Sequence, residues 1–134
     1  MTAKSKNPLV QSLMALSGQD NVITIHRPFV RFTGSYEAAA LLSQLLYWTP
    51  RSIMGGWIAK GDAEFSDELC ISAYALRNAR NKLEEMGLLE TMVKKFNGTP
   101  KLHYRLDLQA LNEQFTAFLD ADFANTENPT LRNH

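Results

Sequence analysis

Disulfides cannot hold this chain together, because Cys70 is its only cysteine. A reducing compartment, the cytoplasm, is the simplest setting for such a count. No apolar run approaches the roughly 18 to 20 residues that cross a bilayer. Met1–Lys6 is not followed by the apolar stretch of a secretory signal, so no membrane partner is expected. His26, His103 and His134 are scattered and have no metal-ligand spacing with Cys70. The phosphate-binding P-loop, the dinucleotide fingerprint and the serine nucleophile elbow are all missing. These gaps point to a binding protein without cofactor or metal, and not to an enzyme. Internal repeats and low-complexity tracts are absent as well.

Net charge is also absent: 14 Lys and Arg stand against 14 Asp and Glu. A strongly basic coat for nucleic acid is thereby excluded. The charges are nevertheless segregated. Residues 72–105 hold seven bases and three acids, whereas 35–71 hold two bases and five acids. Residues 106–134 hold one base and five acids, and 1–34 hold four bases and one acid. A basic block thus lies between two acidic ones. With no net charge there is little repulsion between copies, so self-association is open to the chain.

What is present is ample apolar material, 45% of the residues, enough for one domain with a true core. Leu9, Val10, Leu13, Met14 and Leu16 recur at helical spacing before Gly18. Val22–Ile25 reads as a short extended piece, and Pro28–Phe32 as a helical turn closed by Gly34. Tyr36–Trp48 is the clearest helix. Ser35 suits its N-cap, Ala38, Leu41, Leu42, Leu45 and Leu46 form a wide apolar face, and Pro50 ends it. Trp57-Ile58-Ala59 has the pattern of a short strand. A helix over Ala63–Leu69 capped by Asp62 follows. Cys70-Ile71 forms an apolar turn with Cys70 as a small core residue, and Ser72 caps a helix over Ala73–Met86 that stops at Gly87. Strands at Leu88–Lys95 and Lys101–Leu106 flank Asn97-Gly98, a strong hairpin signal. A last amphipathic helix covers Leu108–Asp120, and the polar tail Ala121–His134 is expected to be disordered.

The order helix, short strand, helix, tight turn, helix, hairpin predicts a winged helix-turn-helix, mainly α with a small β-hairpin. It would span residues 21–107, with an N-terminal arm and helix over 1–20, a helix over 108–120 and a tail over 121–134. Such a fold suits double-stranded DNA because one helix fits the major groove while its predecessor braces it across the backbone. In the helix after Ser72, Leu76, Ala79, Leu83 and Met86 share one side, with Tyr74, Arg77, Asn78 and Asn81 opposite. Arg and Asn are the side chains that pair bidentately with guanine and adenine edges. Glu84 and Glu85 stand toward the far end. The wing adds Lys94, Lys95 and Lys101 for phosphate. The bland alternatives are a solvated polar face and an edge hairpin blunted by lysines against aggregation.

Four segments carry a family likeness: Ala39–Trp48 (AALLSQLLYW), Gly56–Lys60 (GWIAK), Leu83–Glu90 (LEEMGLLE) and Leu102–Leu106 (LHYRL). They resemble the winged-helix domain of phage and plasmid replication proteins, a group that includes replisome organisers and relatives of primosomal DnaD. The likeness covers about residues 22–108. It implies origin-type or regulatory DNA binding, often with self-association, and a replication or regulatory protein as a further partner. The chain departs from the longer members in stopping after one more helix, so the resemblance implies a short accessory or regulatory protein.

Two further expectations concern apolar residues. Tyr47, Trp48 and Trp57 could stack on bases, but core packing is the expected role. Leu9 and Leu13 of the first helix, with Leu111, Phe115 and Phe118 of the last, form stripes that a closed winged-helix core does not need. They would either pair across a homodimer or pack on each other within one chain. A scaffold or inhibitor that binds a protein partner remains the alternative to DNA binding.

Overall fold

Ser35 starts the helix around which the molecule is built. Its Oγ accepts the Ala38 N–H at 3.1 Å, and Glu37 in the first turn complements the positive helix end. In the computed structural model, which describes residues 7–15 and 22–125 with side chains through 122, this helix spans Tyr36–Trp48. Ala38 to Ser43 and Leu45 are all buried, so the helix is covered nearly all round. Burying Leu41, Leu42 and Leu45 contributes about 1.5–3 kcal/mol each.

In chain order the elements are α1 (Pro8–Ala15), α2 (Arg27–Thr33), the central α3 (Tyr36–Trp48), a 3-10 turn at Thr49–Arg51, α4 (Asp62–Leu69) and α5 (Ala73–Glu85). The strands β1 (Leu89–Phe96) and β2 (Thr99–Leu106) and the helix α6 (Leu108–Asn125) complete the set. Helix α3 packs against α2 and α5, and α4 packs on α5. Leu76, Leu83, Leu88, Phe65 and Tyr104 close the core around it.

Helix α2 is one residue longer at each end than its proline and glycine suggested. Pro28 lies in its first turn, and Gly34 takes φ 71°, its N–H reaching Val30 O at 2.9 Å. The segment expected to be extended, Val22–Ile25, has no regular structure; the His26 N–H after it is fixed to Ser43 Oγ at 3.2 Å. The strand expected at Trp57-Ile58-Ala59 shrinks to one bridge, in which Ile58 and Tyr104 exchange backbone hydrogen bonds of 2.7 and 2.9 Å.

Two corrections fall on the helix-turn-helix. Asp62 is the first residue of α4, not its cap. Gly61 occupies the cap, and the Glu64 carboxylate accepts the Gly61 N–H at 3.0 Å. Asp62 is thereby free for tertiary contacts. Cys70 is exposed, not a core residue. It adopts the left-handed conformation (φ 57°) that ends α4, which turns its side chain outward while Leu69 fills the core.

The wing pairs antiparallel from Leu89↔Leu106 to Phe96↔Thr99. Asn97 and Gly98, at φ 54° and 82°, make the two-residue turn whose twist matches the strands. Asp107 caps α6 by accepting the Ala110 N–H at 3.0 Å. This helix continues to Asn125, past the expected end at Asp120, and takes in the start of the supposed tail. The rest of that tail, like Leu16 and Gly18, lies outside the described residues.

The terminal helices differ in how they bury their stripes. Leu111 is 7% exposed within the core, and the Phe115 ring meets Phe29 and Phe32 edge-on at 5.1 and 5.2 Å. Both residues, expected at a dimer contact, are thus packed inside the chain. Phe118 is half-buried beside Phe32, at 5.5 Å. Helix α1 buries none of its residues; Leu9 and Leu13 are 66% and 59% exposed.

Candidate nucleic-acid interface

Ser72 Oγ accepts the Ala75 N–H at 3.0 Å and so starts α5. The hydroxyl proton remains available to an outside acceptor. Leu76, Ala79 and Leu83 are buried against α3, and Met86 is half-buried. The 3.6-residue period then sends Tyr74, Arg77, Asn78 and Asn81 outward. All four are exposed, Tyr74 by 69%. None of their side chains makes a hydrogen bond, ion pair or ring contact with another described residue. Lys82, one turn after Asn78, is also exposed and unpaired among the described residues. Its place in the same stripe is legible from the i, i+4 spacing with Asn78. A groove of about 360 Å³ runs beside this face, between Ser35 and Glu37 at the start of α3 and Tyr74, Asn78 and Lys82 of α5.

A polar anchor inside the molecule fixes the pose of that helix. The Asp62 carboxylate accepts the Arg80 guanidinium at 3.0 Å through one oxygen and the Tyr104 phenol through the other. Arg80 also reaches Glu84, one turn on, at 3.7 Å. Burial alone would lower the Arg80 pKa, but its hydrogen bond to Asp62 and that carboxylate's charge outweigh it and hold the pKa above the ordinary value. Burial, and then the hydrogen bond to Asp62, push the Tyr104 phenol well above its ordinary value. Both groups therefore keep their protons, and α4, α5 and β2 meet at one carboxylate. Sequence reasoning missed this cluster, which joins positions 42 apart.

The three wing lysines have different roles. By register, Lys95 shares a face with Thr91, whose hydroxyl donates to Glu84 of α5 at 2.7 Å. Lys94 lies on the other face with Glu90 and Lys101. Lys94 and Lys95 are exposed and have no partner among the described residues. Lys101 instead donates to Glu64 of α4 at 2.7 Å and is a strut between wing and helix-turn-helix, not a free cation. The Glu64 carboxyl is held below its ordinary range by that hydrogen bond first and by the Gly61 N–H second.

A helix-turn-helix followed by a two-stranded wing, with helices before and after it, is a winged helix-turn-helix. The chain is similar in structure to a protein from Methanosarcina mazei Go1 named "Possible transcriptional regulator", with a TM-score of 0.53. The sequences are 14% identical, and the match covers 79% of this chain and 87% of that one. A likeness at that identity shows shared architecture. No protein-family model and no curated protein matches the chain, so the replication relationship has no match behind it. Among the described residues no helix is long and apolar enough to cross a membrane.

Proposed function

We propose that this protein binds double-stranded DNA and regulates a process on it. Helix α5 reads base edges and the wing holds the backbone. The observation that carries this reading is the outward stripe Tyr74, Arg77, Asn78 and Asn81, which is exposed and has no partner among the described residues. Other cations of the same region, Arg80, Lys101 and Arg105, are each matched to a carboxylate. Arg77 and Asn78 therefore have their donors ready for guanine and adenine edges, where a good bidentate pair is worth about 1–3 kcal/mol. Ser72, Lys94 and Lys95 suit phosphate oxygens. The name of the structural neighbour favours a regulatory role; an accessory role in phage or plasmid replication rests on the resemblance of the four sequence segments. Duplex binding measured for the unmodified protein and for Arg77→Ala tests the assignment.

The exposed stripe of α1 supports a homodimer. Leu9 and Leu13 of α1 are exposed, and covering them with an apolar surface would be favourable. A second copy would cover Leu9 and Leu13, with Phe118 at the margin, and would bring two reading helices to adjacent half-sites.

A further inference from the structure

Trp48 ends α3, Trp57 precedes the bridge to β2, and Phe96 ends β1. Their rings line one cavity of about 200 Å³, completed by Met54 and Ile58. The sequence pattern assigns both tryptophans to the core, yet all three rings are only half-buried. Two cations, Arg51 and Lys60, stand in the lining, and no carboxylate does. Lys60 lies 4.3 Å above the Trp48 ring and is neutralised by Glu68. Glu68 also takes the Gln44 amide at 2.9 Å and the Trp48 indole N–H at 3.4 Å, so both of its oxygens have donors. Arg51 stacks on Tyr47 at 3.9 Å and donates to the Tyr47 carbonyl, and among the described residues it meets no carboxylate. The cavity thus combines aromatic walls with one unbalanced positive charge at its edge.

We propose that this pocket binds a small planar aromatic carboxylate, one ring or two fused rings in size. The ring packs among Trp48, Trp57 and Phe96, where aromatic pairs gain beyond their buried area. The carboxylate meets the free donors of Arg51, a fork that matches it. A mostly apolar cleft with few convergent polar groups is the usual form of a small-molecule site. A single nucleic-acid strand would need a continuous track of free cations. Here Lys60, Lys101 and Arg105 are each neutralised by a carboxylate. An occupant would touch both the end of the core helix and the tip of the wing, and so would tie one to the other. This proposal does not depend on DNA binding.

The chain has two tryptophans, and both line the pocket. Their indole N–H signals in a nitrogen–proton correlation spectrum of the full chain therefore report on it directly. Benzoate and naphthoate serve as probes, with cyclohexanecarboxylate and benzyl alcohol as controls. Both indole signals should shift saturably with the aromatic acids, and each control should bind at least about tenfold more weakly, roughly the loss of one good contact. Arg51→Ala, at an exposed position, and Phe96→Ala, at the wing tip, should each weaken naphthoate binding by about tenfold with the free spectrum still dispersed. Motionless indole signals at saturating aromatic acid would overturn the proposal. So would equal binding of cyclohexanecarboxylate, or unchanged affinity in the Arg51→Ala variant.

Discussion

The phenol of Tyr104 in the wing donates to the carboxylate of Asp62 at the start of α4, 42 positions earlier. Because Arg80 of α5 donates to the same carboxylate, the wing and both helices of the helix-turn-helix share one polar joint. The joint ties the outward-facing helix α5 to α4 and to the wing.

Tyr104 should make the protein sensitive to alkali. Its phenol is raised above the ordinary value of 10.0 in the folded state. Below that pH both states hold the proton. Above it the unfolded chain loses the proton while the folded one keeps it, so stability falls as pH rises past 10.0. In Tyr104→Phe that fall should be shallower. The lost hydrogen bond to the Asp62 carboxylate should cost about 1.5–3 kcal/mol at neutral pH. Urea denaturation of both proteins at neutral and alkaline pH measures the two effects.

Glu64 should show the opposite dependence. Its carboxyl is depressed below the ordinary 4.5 by Lys101, so the contribution of this pair is complete above that pH and is lost as pH falls through the depressed value. Glu64→Gln should flatten the acid limb of a stability profile measured by urea denaturation.

The wing lysines should separate by role. Lys94→Ala with Lys95→Ala should weaken binding to every duplex alike and reduce the slope of log affinity against log salt by about 2. Lys101→Ala should leave that slope nearly unchanged and lower the thermal midpoint, because its partner is Glu64 and not phosphate. A salt slope that drops with Lys101→Ala but not with the double substitution would reverse these roles.

The dimer is tested at α1 and not in the aromatic cluster of α6. Phe115→Asp should destabilise the fold by several kcal/mol, since it places a charge between Phe29 and Phe32. Leu9→Asp with Leu13→Asp should give a folded monomer. Sedimentation of the unmodified protein as a monomer at tens of micromolar would rule out the proposed contact.

Much of the fold could be read from local chemistry. Ser35 and Ser72 cap helices, Gly34 and Gly87 take positive φ, and Asn97-Gly98 turns the hairpin, because each acts within a few residues. The outward face of α5 was legible for the same reason: one helical period fixes it. Long-range partners were not. Asp62 looks like a cap in sequence because nothing nearby reveals Arg80 and Tyr104. Lys101 looks like a free wing cation because Glu64 is far away in the chain. Cys70 looks like core because its neighbours Leu69 and Ile71 are apolar, whereas the left-handed turn decides its direction.

Whether α5 reads DNA is decided most directly by fluorescence anisotropy. The unmodified protein, Arg77→Ala and Asn78→Ala would be titrated onto a duplex selected from a random pool, and onto an unrelated duplex, at several salt concentrations. Each substitution should weaken binding to the selected duplex by about 1–3 kcal/mol and leave the unrelated duplex within about a few tenths of a kcal/mol, apart from the phosphate contribution of a lost charge. Affinity for the selected duplex that is unchanged in both variants would contradict DNA reading by this helix.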